Sequence, residues 1–217
     1  MAVKHRNLAR QDGSAVGPVS LAYERRAPES ASRPNGDEMS IEIDVLNGDS
    51  SWPLARPLLQ AVWPPDVVEK LPWGRVKWAH ADLRVLIDLP EDSPRPGLAC
   101  HVGVYFRTVM WDGRKVQIGG IGGVSTREDC RGRGYATLAL NAAVRTLRDH
   151  EAVRFAILFC EPHNEAFYQG RGWHRFNGEV YAEQPEGRIR FEAMAPYIFD
   201  FTRKPRDGII DLCGLPW

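Results

Sequence analysis

A short turn rich in glycine and arginine carries the clearest chemical signal in this sequence. It reads RGRGYA at residues 131–136 and leads directly into a segment with helical periodicity. Glycines leave the backbone accessible, and a helix start offers free N–H groups at the positive end of its dipole. Because two arginines add positive charge, the turn predicts a phosphate or pyrophosphate site. Neither Gly-Lys-Ser/Thr nor G-x-G-x-x-G occurs here, which excludes a Walker loop and a dinucleotide fingerprint.

Two elements must position this turn. The strand before it starts near Val116 and is interrupted by four glycines: Gly119, Gly120, Gly122 and Gly123. Glycines inside a strand mark bulges or places where another backbone or a ligand comes close. The helix after the turn is predicted over residues 133–149, because apolar residues recur on one face at helical spacing.

Two further residues that could take part in catalysis follow the next predicted strand. Residues 153–160, VRFAILFC, are a continuous apolar run, which predicts a central strand buried on both faces. Glu161 and His163 follow the end of that strand, where ligands gather in open α/β sheets. A short helix is predicted over residues 164–171. By contrast, His101 lies inside a long strand, where a lone histidine is more often structural than catalytic.

The order of elements predicts an α/β (α+β) fold with layers about a mixed, mainly antiparallel sheet and one parallel crossover. Further strands are expected at residues 41–45, 83–89 and 98–111 and after residue 173. A helix is expected from about Pro53, capped by Ser51, with Leu54 and Leu58 facing inward. Residues 39–217 are interpreted as one domain, and the polar residues 1–38 as an extension with little fixed structure.

Composition narrows the function classes. The chain has 217 residues, a formal net charge of zero and arginines dispersed among acids, which argues against nucleic acid and anionic membranes as partners. No apolar run reaches the length of a membrane span, and no signal-peptide core is present. The four cysteines lie far apart, so the sequence predicts no metal site and free thiols in the cytoplasm.

A second motif, NEAFYQGRGW at residues 164–173, completes a recognisable pattern. With the glycine-interrupted strand, the turn and the buried strand, it resembles the GNAT acetyltransferase superfamily in the order and spacing of two signature regions. The resemblance implies a GNAT-like domain that uses acetyl-CoA as cosubstrate and no metal. Tyr168 takes the position of the family's general acid, whose phenol would protonate the departing CoA thiolate. The implied cofactor-binding residues are Val124, Thr126, Arg131, Gly132, Arg133, Gly134, Tyr135, Ala136 and Asn164.

Within this superfamily, the layout and the terminal tryptophan resemble aminoglycoside 2'-N-acetyltransferases. Those enzymes carry a glutamate at the position that aligns with Gly122, and this sequence has no carboxylate there. The expected acceptor is the amine of an aminoglycoside or amino sugar, with Gly122, Glu161 and Trp217 as substrate-binding residues. Candidates for the missing base are Glu161, His163, Asp211 and the terminal carboxylate of Trp217.

Several alternatives stay open from the sequence. A longer-chain acyltransferase resembling the nodulation acyltransferase family, a protein-acetylating enzyme and a non-catalytic acyl-CoA-binding module all fit parts of the pattern, and a homodimer is left open. Four tryptophans of the first half are interpreted as core packing, with one wall of a substrate pocket as the alternative. These tryptophans are Trp52, Trp63, Trp73 and Trp78.

Overall fold

The structure, a computed structural model, describes residues 19–23 and 41–217. Its strands are β1 (Val19–Tyr23), β2 (Ile41–Asn47), β3 (Leu83–Leu89), β4 (Gly97–Trp111), β5 (Arg114–Thr126), β6 (Phe155–Cys160), β7 (His174–Arg175), β8 (Glu179–Gln184), β9 (Gly187–Arg190), β10 (Ala195–Asp200) and β11 (Ile209–Asp211). Its helices are α1 (Gly48–Val62), α2 (Pro65–Val68), α3 (Tyr135–Asp149) and α4 (Glu165–Gln169). Short 3₁₀ turns cover Glu128–Cys130 and Pro162–Asn164.

The described strands form one mixed sheet in the order β1-β2-β3-β4-β5-β6-β10-β7, and β11 bridges β4 to the β8–β9 hairpin. Neighbours from β1 to β5 pair antiparallel. The connection from β5 through α3 returns to β6 in the parallel sense, which is the predicted crossover. A second parallel pair joins β11 to β8. The mixed, mainly antiparallel sheet predicted from the sequence is therefore confirmed.

Two hydrophobic cores lie on the two faces of the sheet, because side chains alternate between faces along each strand. On one face, α3 packs its buried residues, such as Leu140 and Leu147, against β3, β4 and β5. The other core contains Tyr105, Ile157 and the C-terminal residue Trp217. The last residues of the chain are therefore part of the folded core.

Helix α1 begins earlier than the sequence predicts. The side chain of Asn47 caps it by accepting hydrogen bonds from the N–H groups of Asp49 at 3.0 Å and Ser50 at 3.2 Å. Ser51 instead lies inside the first turn, and its hydroxyl donates to Asn47 O at 2.6 Å. Leu58 is buried as expected, whereas Leu54 is 58% exposed. The predicted cap at Ser51 and the inward position of Leu54 are thus wrong.

Strand β1 pairs with β2 over its whole length, from Val19 opposite Val45 to Tyr23 opposite Ile41. These five residues fall within the segment 1–38 that the sequence predicts to have little fixed structure, and their backbone departs from that prediction. The rest of that segment lies outside the described residues. No helix among the residues that the structure describes is long and apolar enough to cross a membrane.

Candidate active site

The sheet opens between β5 and β6. These parallel strands pair only from Gly119 opposite Ala156 to Ile121 opposite Leu158. Both strands then continue, and among the described residues none pairs with the edge of β5 from Gly122 to Thr126 on the β6 side. An unpaired strand edge offers N–H and C=O groups in strand geometry to an extended ligand.

A bulge in β5 marks the start of this opening. The pairing with β4 shifts between His101, opposite Ser125, and Gly103, opposite Gly122, so β5 carries one extra residue. Gly123 stands at the bulge with φ of +58°, a left-handed conformation that glycine adopts at little cost. The bulge turns the carbonyl of Gly123 toward His101 instead of into the strand ladder.

His101 holds this carbonyl inside a buried network. Its Nδ1 lies 2.7 Å from Gly123 O, and its Nε2 lies 2.9 Å from Nη1 of Arg84. Because a guanidinium can only donate, Nε2 accepts and Nδ1–H donates to Gly123. Arg84 is itself buried, donates from Nε to Gly48 O at 3.0 Å and packs against the ring of Trp52. Burial lowers the pKa of His101 to about 4, so the ring is neutral, and its expected structural role agrees with this geometry.

The turn before α3 is built to leave backbone N–H groups free. Gly132 and Gly134 have φ of +74° and +87°, and a Cβ at either would meet no atom within 4 Å. No described side chain caps α3. The N–H groups of residues 132–136 also have no backbone acceptor among the described residues. The N–H of Arg131, which was expected to be free as well, instead donates to Glu128 O at 3.2 Å in the preceding 3₁₀ turn.

A cavity of about 540 Å³ joins the strand edge, this turn and α4. Among the predicted cofactor-binding residues, only Arg133 is absent from its lining; the others lie around it: Val124, Thr126, Arg131, Gly132, Gly134, Tyr135, Ala136 and Asn164. Cys130, Thr137, Phe167 and Arg171 also line it, and the sequence interpretation missed them. Spacing alone could have suggested Thr137, one residue after the turn. No acidic residue is among the described lining residues, so the cavity favours an anion.

Tyr168 lines the same cavity as a buried side chain. Phe167 and Trp173 pack edge-on against its ring, and its hydroxyl makes no hydrogen bond to any described residue. Burial raises the pKa of this phenol above its usual value, with Cys160 and Cys100 as lesser causes. The hydroxyl is therefore protonated throughout the neutral range and can donate a proton or hydrogen bond into the cavity.

The C-terminal carboxylate lies on the opposite face of the same opening. A Cβ at Gly122 would be 2.9 Å from the carboxyl carbon of Trp217 and 3.3 Å from its oxygen. The indole covers Gly120, donates from Nε1 to Ile157 O at 3.2 Å and stacks on Tyr105 with ring centroids 5.4 Å apart. The sequence predicted that a ligand or another backbone approaches these glycines, and the chain's own last residue does so.

The segment before Trp217 is fixed from several sides. Ala79 N donates to Pro216 O at 2.7 Å, and Nη1 of Arg107 donates to Leu215 O at 2.8 Å. The guanidinium of Arg107 also lies 5.2 Å from the centre of the Trp217 ring. These contacts hold the carboxylate at one place beside Gly122.

The other base candidates are less well placed. Asp211 pairs with Arg188 and accepts from Cys213 N, and its strand meets β4 at Met110. Met110 is seven positions from Gly103, roughly 23 Å along a strand. Exposed His163 contacts Asn164 through Nε2 at 3.1 Å, and half-buried Glu161 follows β6. The structure therefore does not bring Asp211 to the opening.

The tryptophans of the first half form a ladder of edge-to-face rings that reaches the C-terminus. Trp63 contacts Trp73, which contacts Trp78, at centroid distances of 6.3 and 5.9 Å. Phe191 and Phe159 continue the series to Trp217. Trp73 is buried, as core packing predicts, whereas Trp52 is 36% exposed beside Arg84. These ring contacts connect the end of α1 and the segment after it to the indole of Trp217.

Comparisons with known proteins agree with this geometry. Residues 51–176, more than half of the chain, match the family model described as acetyltransferase (GNAT) domain. An aminoglycoside 2'-N-acetyltransferase of Mycolicibacterium fortuitum is 30% identical over 93 residues, 43% of this chain. That match spans 47% of the relative, about half its length.

Solved structures share the fold at low identity. Escherichia coli ElaA has a TM-score of 0.50 and 17% identity, covering 74% of this chain and 99% of its own. The Escherichia coli N-acetyltransferase YhbS, solved in complex with CoA, has a TM-score of 0.50 and 15% identity, covering 83% and 94%. At such identity the likeness is evidence for the fold alone.

Proposed function

The chain belongs to the GNAT acetyltransferase family, and from this premise we propose that it transfers the acetyl group of acetyl-CoA to the amine of a small molecule. The family that its motifs resemble is thus confirmed. The proposal rests above all on the cavity in which an unpaired strand edge, a free helix start and Tyr168 meet. Among the described residues, no group of three or more histidines, cysteines or acids could hold a metal ion.

The cavity fits acetyl-CoA by its backbone chemistry. The free N–H groups of residues 132–136 would bind the pyrophosphate, because the glycines leave space that a Cβ would occupy. The backbone of Val124 and Thr126 would bind the pantetheine arm as an added strand. Arg131 and Arg171 supply positive charge at the lining. These residues fix the thioester at the opening between β5 and β6.

The reaction forms a C–N bond between the amine and the acetyl carbonyl carbon and breaks the C–S bond of the thioester. Backbone N–H groups near the bulge would stabilise the oxyanion, and holding both substrates side by side lowers the entropic cost. Tyr168 would give its proton to the departing sulfur. Its raised pKa keeps that proton in place until the thiolate, a strong base in a dry site, develops.

Tyr168→Phe is expected to lower kcat by about 10²-fold or more, since general acids contribute 10²–10⁴-fold. The affinity for acetyl-CoA should stay nearly unchanged, because the ring still packs between Phe167 and Trp173. Single-turnover kinetics and calorimetry measure the two quantities. Tyr181→Phe is the matched control, since that hydroxyl donates to Glu179 away from the cavity. Full single-turnover rate in Tyr168→Phe would exclude the general-acid role.

For the acceptor, we propose an aminoglycoside or amino sugar whose cationic amine meets the Trp217 carboxylate. This carboxylate lies beside Gly122, the position that the sequence resemblance aligns with a glutamate of aminoglycoside 2'-N-acetyltransferases. It would attract the ammonium group and accept its proton before attack. The aminoglycoside-modifying relative supports this class, with Glu161 as a proposed further acid beside the acceptor.

Moving or neutralising the terminal carboxylate is expected to raise KM for the amine about tenfold or more, the size of a lost charged hydrogen bond. Two variants test this: Gly-Gly appended after Trp217, and a C-terminal carboxamide made by semisynthesis. The carboxamide keeps the indole over Gly120 and removes only the charge. If the extension alone raised KM while the carboxamide behaved as wild type, the ring would act sterically and the carboxylate role would be wrong.

A thiol-release assay with acetyl-CoA and a panel of amines tests the whole proposal. Aminoglycosides and other amino sugars should release CoA thiol, whereas peptides and polyamines should release little. Release with peptides alone would replace the small-molecule acceptor by a protein acceptor. Tight acetyl-CoA binding without release on any amine would favour the non-catalytic binding module, and preference for longer acyl-CoA would favour the acyltransferase alternative.

A further inference from the structure

Tyr105 on β4 has a buried hydroxyl that the proposed function does not use. The side chain is only 7% exposed, and its ring stacks on the indole of Trp217. Its Oη makes no hydrogen bond to any described residue. Buried polar groups in proteins are almost always hydrogen-bonded, so this hydroxyl indicates that an external molecule supplies its partner.

The hydroxyl lies over a pair of opposite glycines, Gly103 on β4 and Gly122 on β5. A Cβ at Gly103 would lie 3.2 Å from Oη of Tyr105. A Cβ at Gly122 would lie 3.3 Å from Cε2 of the same ring and 2.9 Å from the carboxyl carbon of Trp217. Glycines inside strands mark places where another group comes close to the backbone. The phenol and the terminal carboxylate therefore meet over one residue pair that has no side chains.

Opposite charges flank this phenol. Arg84 on β3 is paired with Gly103, so its side chain shares the face of the sheet on which Tyr105 lies. The Trp217 carboxylate lies on the other side, at Gly122. An ammonium group is attracted by the carboxylate and repelled by the guanidinium, whereas a neutral hydroxyl group is tolerated beside either. A bound amine is therefore oriented with its nitrogen at Gly122 and a neutral polar group at Gly103.

The phenol of Tyr105 is a hydrogen-bond donor at neutral pH. Burial raises the pKa of Tyr105 to about 12, and the positive charge of Arg84 opposes this rise only in part. The hydroxyl therefore keeps its proton throughout the neutral range. It can donate that proton in a hydrogen bond to an oxygen of the bound acceptor.

We propose that Oη of Tyr105 donates a hydrogen bond to a hydroxyl group on the carbon next to the reacting amine, so that the enzyme selects vicinal amino alcohols. An amine and a hydroxyl on neighbouring carbons lie close together, which matches two protein groups that meet over one residue pair. The inference rests on the proposed function and narrows its acceptor to amino sugars with a free hydroxyl beside the amine.

Two methyl glycosides test this selection: that of glucosamine and its 3-deoxy analogue. Each has a single amine, and they differ only in the hydroxyl next to it. In the thiol-release assay, the wild type should show a kcat/KM about tenfold or more higher for the glucosamine glycoside, as for a hydrogen bond lost in a buried site.

Tyr105→Phe should reduce this preference to within about twofold, because it removes only the oxygen and leaves the ring stacked on Trp217. The two acceptors differ in basicity equally for both enzymes, so that difference cancels when the two preferences are divided. Tyr181→Phe is the control, since its hydroxyl donates to Glu179 on β8, and it should keep the full preference.

Thermal unfolding separates this role from a structural one. Because Oη of Tyr105 has no partner among the described residues, Tyr105→Phe should melt within about 2 °C of the wild type. The loss of preference then belongs to acceptor recognition and not to the fold.

Equal kcat/KM for the two glycosides in the wild type would overturn the inference and leave the proposed function intact. A preference that survives in Tyr105→Phe would overturn it in the same way, as would release with aminoglycosides but with neither glycoside. No release with any amino sugar or aminoglycoside would overturn the proposed function, and the inference with it.

Discussion

Gly120→Ala is expected to lower the free energy of unfolding by about 1–3 kcal/mol, as overpacking of a core does. The new Cβ would lie 2.2 Å from Cε2 of the Trp217 indole. The indole has no room to withdraw, because it donates to Ile157 O and stacks on Tyr105 at an interplanar angle of 19°. Urea unfolding measures the loss. The amine KM should rise as well, since the displaced indole carries the carboxylate away from Gly122.

A double-mutant cycle separates this contact from a general strand effect. Trp217→Ala alone should cost about 3–5 kcal/mol. Combined with Gly120→Ala it should cost clearly less than the sum, because the empty indole site accommodates the new methyl group. Gly119→Ala is the matched control: its Cβ meets Leu147 on the other face, so it should add to Trp217→Ala without coupling. Additivity of Gly120→Ala and Trp217→Ala would contradict the contact.

The local secondary structure around the candidate site is the part that the sequence predicts well. The turn at residues 131–136 depends on glycines at 132 and 134 and on a helix that starts directly after them, and all of this lies within a few residues. The buried strand β6 and the helix with Tyr168 follow from equally local patterns. Local chemistry of this kind is visible without knowledge of the tertiary structure.

The non-local parts could not be predicted. The glycines of β5 indicate a close approach, yet nothing in their pattern says that Trp217, some hundred residues later, is the group that approaches. The cap of α1 was missed because Asn47-Gly48 also fits a turn, and only tertiary packing selects the helix. The role of Arg171 depends on contacts between two helices. Long-range packing decides each of these features.

His101→Leu is expected to destabilise the fold by about 3 kcal/mol, since it leaves the buried guanidinium of Arg84 without one of its acceptors. It also removes the shorter of the two side-chain hydrogen bonds to Gly123 O at the bulge, and the one from Ser125 Oγ at 3.2 Å remains. Arg84→Met/His101→Leu should recover most of the stability, because replacing both partners by apolar groups removes the buried charge that would otherwise lack an acceptor. Activity should not recover with it, because the Gly123 carbonyl, next to Val124, still lacks the short hydrogen bond from His101.

The same network gives stability a distinct dependence on pH. The pKa of His101 is lowered from 6.5 to about 4 by burial, so between these values the unfolded chain binds a proton that the folded chain does not. Stability is therefore fully present above pH 6.5 and falls as pH drops toward 4, by about 3 kcal/mol. Other groups titrate equally in Arg84→Met/His101→Leu, so the difference between its urea-unfolding profile and that of the wild type isolates His101. Parallel profiles from pH 7 to pH 4 would show that His101 is not neutral and buried in the folded protein.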